Sequence, residues 1–291
     1  MTASVIIATY KRPVFLIRAV ESVLAQSLSA EVIVVDDNGK GSALQIQTEE
    51  VLKPFLGQIV YLPLEKNSGA CIARNQGIAI AKGKYIFFLD DDDEFLPNKV
   101  ETQVGYLADH PEYDGCLSAF IRRDDHGKQI VANSNFPVTE SFANFVVSGN
   151  FFTPMLCIRK SSFEKSGEFR DIPRFQDRYF MLHCLLQGMT FADLQEPLHI
   201  MYEHSGERVT HQNVDKSLQA LDLIENLINA NCELLSEEEN VRFMENSMRM
   251  KAMVLYVAGS RNTATRRWWE LFRKTWAFRD LKMVLKSFIK M

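Results

Sequence analysis

The hydrophobic pattern of this 291-residue chain changes character twice. Up to residue 97, short apolar runs alternate with amphipathic stretches. Residues 4–9 (Ser-Val-Ile-Ile-Ala-Thr), 31–35, 59–64 and 85–89 are rich in β-branched, aliphatic and aromatic residues, the composition of buried strands. Between the first two, Leu16, Ala19, Val20, Val23 and Leu24 recur at helical spacing, and residues 43–55 and 69–81 fit two further helices. Pro13 suits the first turn of the first helix, and Gly83 closes the third. Strand–helix alternation at this short spacing predicts an α/β fold with a doubly wound, mostly parallel sheet flanked by helices.

Beyond Pro97 the alternation becomes irregular. A helix is expected to about residue 109, then strands at 115–122 and 129–133 joined by the turn Asp124-Asp125-His126-Gly127. A short helix at 140–148, a strand at 155–159 and a helix at 175–186 follow, the last with Gln176-Asp177-Arg178 in its first turn. Short strands are expected at 191–194 and 199–202. From about Val214 the pattern is helical. Ser236-Glu237-Glu238-Glu239 matches a capping box opening a helix to about residue 258, and residues 266–276 and 278–290 fit two amphipathic helices. Ser205-Gly206-Glu207-Arg208 interrupts the pattern. The expected division is a domain over 1–210, with halves 1–110 and 111–210, and a C-terminal helical extension over 211–291.

In doubly wound sheets, ligands sit beyond the carboxyl ends of the strands. Three of the expected strand ends carry conspicuous polar groups: Thr9-Tyr10-Lys11-Arg12, Asp36-Asp37-Asn38, and Asp90-Asp91-Asp92-Asp93. Four adjacent carboxylates repel one another unless positive charge sits among them. A divalent cation, held by one or two of them together with substrate phosphate oxygens, is the expected neutraliser. Spacing leaves open which of the four touches it, and a solvated acidic turn is the plainer alternative. Asp177, at a helix start, is a candidate general base, or else a carboxylate stabilising that helix terminus. His204 and Arg208 lie in the loop after the last expected strand, which could close over a phosphate-bearing ligand or simply be solvated. The other histidines lack ligand spacing.

Hydrophobic residues make up 46% and charged residues 24% of the chain, which excludes a disordered composition. The net charge of −4 hides an asymmetry. Residues 261–291 hold nine Lys or Arg against Glu270 and Asp280, a balance of +7, so the first 260 residues carry −11. Arg266, Arg267, Trp268, Trp269, Phe272, Arg273, Lys274 and Trp276 combine cations with interfacial aromatics, and Leu281, Val284, Leu285, Phe288 and Ile289 form an apolar stripe beside Lys282, Lys286 and Lys290. Such a segment either lies on an anionic membrane or packs its stripe against the protein's own body. No nucleic-acid module accompanies it, so nucleic acid is not an expected partner. Five scattered cysteines without CxxC spacing suit a reducing compartment. With no signal-like leader and no 18-residue apolar run, the expectation is a cytoplasmic protein, peripheral on the inner face of the cytoplasmic membrane if the tail binds lipid.

Five segments in order resemble the family 2 glycosyltransferases, whose nucleotide-sugar-binding fold is called GT-A (Rossmann-like). They are Ser4-Val-Ile-Ile-Ala-Thr-Tyr-Lys-Arg12, Glu31-Val-Ile-Val-Val-Asp-Asp37, Asn67-Ser-Gly-Ala-Cys-Ile-Ala-Arg-Asn-Gln-Gly77, Gly83-Lys-Tyr-Ile-Phe-Phe-Leu-Asp-Asp-Asp-Asp93, and Gly167-Glu-Phe-Arg170 with Gln176-Asp177. The resemblance covers about residues 1–210 and leaves the helical tail outside. It implies inverting transfer of a sugar from a nucleotide diphospho-sugar donor, with Mg²⁺ or Mn²⁺, the first half binding donor and the second the acceptor. By position, Thr9, Tyr10 and Arg12 would border the nucleotide, Asp37 would accept from the base, and Arg74 would lie near base and diphosphate. Asp90 and Asp92 would form the DxD-type pair facing ribose and metal, supported by Asp91, and Asp177 would be the catalytic base. The product class implied is a bacterial surface polysaccharide such as O-antigen or capsule, built on a glycan acceptor that is lipid-linked. Two departures stand out: Gln176 replaces the usual Glu before the base, and Asn38-Gly39 replaces the usual Gly-Ser. The rivals are a nucleotidyltransferase, disfavoured because no Gly-rich, Lys-containing phosphate loop follows the first strand, and a non-catalytic glycan-binding or scaffolding descendant, which Gln176 keeps open.

Overall fold

The computed structural model describes residues 2–124, 126–130, 136–203 and 213–289. The chain divides into two compact units: Met1–Phe145 with Gly149–Asp171 and Gln176–Ser205, and Val146–Ser148 with Ile172–Phe175 and Gly206–Met291.

The first unit is built on one sheet. Its strands are β1 (Ala3–Thr9), β2 (Glu31–Asp36), β3 (Ile59–Pro63), β4 (Tyr85–Asp90), β5 (Glu94–Phe95), β6 (Gly115–Asp124), β7 (Gln129–Ile130), β8 (Leu156–Arg159) and β9 (Phe191–Glu203). The order is β3-β2-β1-β4-β8-β6-β9-β5, with β7 beside β6. β1 to β4 are mutually parallel, β8 runs antiparallel to both β4 and β6, and β9 is parallel to β6. The parallel register sets Thr9 opposite Asp36 and Ala8 opposite Asp90. All three polar strand ends therefore finish level at one edge of the sheet.

Both faces of the parallel half are covered, which is why its strands read as near-continuous apolar runs. Ala3, Val5 and Ile7 of β1 pack with Leu16, Ala19, Val20 and Val23 of α1 (Pro13–Leu24), with Leu52 of α2 (Ala43–Leu52), and with Val100, Val104 and Leu107 of α4 (Lys99–Asp109). Ile6 points to the other face, under α3 (Ala70–Ile80). There Gly77 lets the helix close on the sheet, because a Cβ would come within 2.6 Å of an Ile6 methyl. The unit also contains α5 (Phe142–Ser148) in part, α6 (Lys160–Ser166) and α7 (Gln176–Leu186).

Besides the unanticipated two-residue β5 and a tail helix that begins at Arg261 rather than 266, two larger details differ from the expected elements. The strands anticipated at 191–194 and 199–202 are one strand, β9. Its pairing with β6 shifts register on either side of Ala119, which lets the exposed Gln195-Glu196-Pro197 bulge without ending the strand. The helix α6 was not anticipated, because Lys-Ser-Ser-Phe-Glu-Lys-Ser carries little apolar periodicity. A buried polar cluster also lies under α4. The Lys99 ammonium donates to Gln103 Oε1 (2.6 Å) and Ser118 Oγ (2.9 Å), and burial pushes its pKa down to about 7. Both ring nitrogens of His199 are buried without a hydrogen-bond partner among the described residues, and burial, then the Lys99 charge, holds its pKa well below the usual range.

The second unit is helical: α8 (Val214–Asn229), α9 (Glu237–Val257), α10 (Arg261–Thr275) and α11 (Phe278–Ile289). The capping box opens α9: Ser236 Oγ accepts from the Glu239 N–H and Glu239 Oε2 accepts from the Ser236 N–H (2.8 Å). Ala252, Leu255, Ala264, Trp268, Leu271 and Val284 form its core across α9, α10 and α11.

Just before β4, the backbone at Gly83 runs close against β1. Its N–H donates to Ser4 Oγ (2.8 Å), and that hydroxyl donates to the buried Glu31 (2.6 Å). A Cβ on Gly83 would lie 2.5 Å from the Ala3 carbonyl carbon and the Ser4 nitrogen. Gly83→Ala must therefore push β1 and β4 apart. Its unfolding free energy, read from urea denaturation, should fall by about 3 kcal/mol or more, as for an overpacked core site with no side chain to yield.

Candidate active site

The site is assembled where the four parallel strands end. After Thr9 the backbone reverses sharply. Lys11 takes a left-handed φ of +63°, an unfavourable region for a residue with a Cβ, and its N–H donates to Asn38 Oδ1 (2.9 Å). The reversal turns Arg12 back over the acidic run, where its guanidinium bonds Asp91 (3.3 Å) and Asp92. Pro13 then starts α1.

A turn closed by the Asp93 N–H on the Asp90 carbonyl (3.1 Å) follows β4 and sorts the four aspartates into two pairs. Asp91 and Asp93 point inward and are 5% and 3% exposed, whereas Asp90 and Asp92 are only partly buried. The inward Asp91 accepts from the Thr9 hydroxyl (2.8 Å) and the Tyr10 N–H (3.3 Å), locking the end of β1 to β4. The inward Asp93 accepts from the Tyr202 N–H (3.0 Å) near the end of β9. Outward, Asp90 accepts from Arg74 of α3 (2.8 Å), and Asp92 pairs with Arg12. Burial, followed by the charge of Asp92, pushes the Asp91 carboxyl up to about 7 against the pull of Arg12 and Thr9. Burial, then Asp92 and Asp90, raises Asp93 well above the carboxylate range. For Arg12, burial is outweighed by Asp92 and Asp91, which raise its pKa.

Asp37 sits in the neighbouring turn. Its two carboxylate oxygens accept from the Ser68 N–H (2.6 Å), the Gly69 N–H (2.8 Å) and Asn67 Nδ2 (3.0 Å), so it fixes the entry to α3. Burial raises its pKa, opposed by those two backbone bonds. Along α3, Asn75 exchanges two bonds with Phe169, donating to its carbonyl (2.9 Å) and accepting from its N–H (3.0 Å). Phe169 stacks on Phe180 of α7 at 4.2 Å and lies under the Arg74 guanidinium. This chain of contacts ties α3 to the helix that carries Asp177.

Asp177 lies in the first turn of α7, partly buried, and accepts from the Arg178 N–H (3.0 Å). Burial raises its pKa; the charge of Arg74 opposes this and that of Asp90 adds to it. Asp90, Arg74 and Asp177 therefore share one local field. The structure brings together Thr9, Tyr10, Arg12, Arg74, Asp90, Asp91, Asp92 and Asp177, and holds Asp37 in the adjoining turn. His204 and Arg208 lie outside the described residues.

Arg18 was missed by sequence reading. It donates to the Asp92 carbonyl (2.5 Å), and its guanidinium lies 3.6 Å from the centroid of the Tyr202 ring. Its signal was a charged residue inside the buried Leu16–Ala19–Val20 face of α1. Among the described residues no three His, Cys, Asp or Glu side chains are grouped to hold a metal. The outward carboxylates of Asp90 and Asp92 are hard oxygen donors. They fit a Mg²⁺- or Mn²⁺-like ion that takes its remaining ligands from phosphate and water.

Residues 4–172 match the family model described as "Glycosyl transferase family 2". The chain belongs to that family. It is similar to AmsE of Erwinia amylovora, an amylovoran biosynthesis glycosyltransferase, at 29% identity over 199 residues (67% of this chain, 74% of that protein). A shorter stretch of 105 residues is 41% identical to WcaA of Escherichia coli strain K12, named as a colanic acid biosynthesis glycosyl transferase, covering 35% of this chain and 37% of WcaA. Among solved structures, S. aureus TarS 1–349 in complex with UDP-GlcNAc superposes with a TM-score of 0.65 at 17% identity, covering 99% of this chain and 79% of that one. The fold is GT-A, a mixed, mostly parallel sheet flanked by helices and followed by C-terminal helices, and the protein is a glycosyltransferase.

The inward position of Asp91 has a thermodynamic signature. Between its ordinary pKa near 4 and about 7, the folded protein holds a proton that the unfolded chain has released, so this group lowers stability as pH rises. Asp91→Asn lacks that contribution. Its stability relative to wild type should increase from about pH 4.5 to pH 7 with a slope approaching 1.4 kcal/mol per pH unit, measured by urea unfolding. A difference that stays flat would mean that Asp91 ionises in its ordinary range.

Proposed function

We propose that this glycosyltransferase transfers a sugar from a nucleoside diphosphate donor to a glycan acceptor by a single inverting displacement, Asp177 accepting the proton. The observation that carries this reading is the position of Arg74. It is salt-bridged to Asp90 and its charge acts on Asp177, so one cation links Asp90 to the candidate base.

In such a displacement the acceptor hydroxyl loses its proton as it attacks the anomeric carbon. A carboxylate made more basic by burial, with a nearby arginine opposing that shift, suits that role. Gln176 removes one negative charge beside it and leaves the proton acceptor in place. Negative charge develops on the departing diphosphate at the opposite end of the reaction. Arg12 and Arg74, already turned toward the ends of β1 and β4, are the cations available to receive it. Asp92 and Asp90 are the residues that would hold Mg²⁺ or Mn²⁺, and the bound ion would supply Lewis-acid stabilisation of the leaving group. Asp91 and Asp93 keep the run aligned. Tyr10, at the mouth of β1, is in position to border the base.

The names of AmsE and WcaA favour a surface polysaccharide as the product, and a lipid-linked glycan is the acceptor class that follows from it. The UDP-GlcNAc bound by TarS favours a nucleotide-sugar donor without fixing the sugar.

Purified protein incubated with nucleotide sugars and Mn²⁺ should release nucleoside diphosphate. Pyrophosphate release from a nucleoside triphosphate would favour a nucleotidyltransferase instead. Asp177→Asn should lower turnover by at least about 100-fold while the affinity for nucleoside diphosphate stays within about twofold. Wild-type turnover in that variant would remove Asp177 as the base. Separately, Asp92→Ala should abolish the gain in nucleotide affinity that Mn²⁺ confers, measured by calorimetry. An unchanged gain would place the ion elsewhere.

A further inference from the structure

The second unit leaves a surface that its own packing does not explain. One side of α10 is internal: Ala264, Trp268 and Leu271 pack with Ala252, Leu255 and Val284. The apolar stripe expected on α11 is thereby divided, with Val284 inside and Leu285 exposed.

The other side of α10 carries a ladder of aromatic rings. Trp269 is 46% and Trp276 78% exposed, and half-buried Phe272 joins them at ring separations of 5.7 and 5.5 Å. Spacings of three and four put these residues on one helix face. Phe278, just past the corner, is 74% exposed.

That corner is held by polar bonds, and the Trp276 ring takes no part in them. Arg249 pairs twice with buried Asp280 (2.9 Å each), Thr275 Oγ1 donates to Asp280 (3.1 Å), and the Ala277 N–H donates to Thr275 Oγ1 (3.1 Å). Trp276 itself adopts a left-handed φ of +52°, a position that ordinarily favours glycine. A tryptophan there is strained and solvated, and folding gains little from it.

Charge identifies the occupant. Arg266 and Arg273, three before and four after Trp269, flank the ladder, and Lys274, Arg279, Lys282 and Lys286 are also exposed. Of the two acidic residues in this segment, Asp280 is internal with Arg249, leaving Glu270 as the exposed one. Interfacial aromatics ringed by cations match the headgroup region of an anionic bilayer, where rings lie at the boundary and cations meet phosphate. Among the described residues no helix is long and apolar enough to cross a membrane, so the attachment lies in the interface plane.

We infer that the Trp269–Phe272–Trp276 face of α10, with Phe278 and the surrounding cations, docks this protein on an anionic lipid surface. The inference is independent of the transfer reaction, and its test uses no sugar donor. The full chain is floated with vesicles of phosphatidylcholine alone and of phosphatidylcholine mixed with phosphatidylglycerol. Binding is expected to the mixed vesicles, weakening as salt is raised. The triple variant Trp269→Ala, Trp276→Ala, Phe278→Ala should lose at least about tenfold in partition. The pair Arg273→Glu, Lys274→Glu, both at exposed positions, should lose a similar amount. Circular dichroism establishes that each variant is folded, and the charge pair decides the matter if the triple variant is not. Failure of the wild type to float with the mixed vesicles, equal binding to the neutral ones, or undiminished binding by the folded variants would overturn the inference. So would self-association abolished by the triple variant without any vesicle binding, which would make a second copy of the chain the occupant.

Discussion

Four carboxylates in succession at the end of one strand are the constraint around which the first unit is arranged. Unrelieved, they would drive the end of β4 away from its neighbours. The turn after β4 resolves this: two aspartates face in and become ties to β1 and β9, and two face out toward arginines. The ties and the ion pairs come from distant parts of the chain. Thr9 arrives from the first strand, Arg12 from the turn after it, Arg74 from the third helix, and Tyr202 from the last strand. The acidic run is thus a structural junction as well as the edge where donor binding is proposed, so a change made there for one purpose disturbs the other.

The parallel half of the sheet was legible because its chemistry is local. Strands buried on both faces must be apolar throughout, and their polar ends stand out against that background. The run at 85–93 stood out as a candidate site for that reason. Its internal division was not legible, since which aspartate faces inward is set by the turn that follows the last ladder residue, Asp90. Asp37 shows a related limit. The sequence marks it as a polar strand end, but not that its oxygens meet the backbone of residues 68 and 69 thirty positions later. Arg18 was hidden because a charge among core positions of an amphipathic helix reads as an imperfection until its distant partner is known.

The less regular half was harder to read for a physical reason. β9 carries Gln195-Glu196-Pro197 in its middle, residues that end strands in most settings. It continues because pairing with β6 tolerates a bulge at Ala119. Tertiary pairing overrode a local breaker there. In the tail, the question of membrane or body was posed about whole helices, whereas packing divides those helices face by face. Trp268 and Trp269 are adjacent in sequence and stand on opposite sides of that division.

All three tryptophans of the chain, Trp268, Trp269 and Trp276, fall within the second unit. Intrinsic indole emission therefore follows the melting of the helices and is blind to the sheet that holds the acidic run. Far-ultraviolet dichroism follows both. Coincident transitions by the two probes would mean that the units unfold as one cooperative body, and separated transitions would give each its own stability.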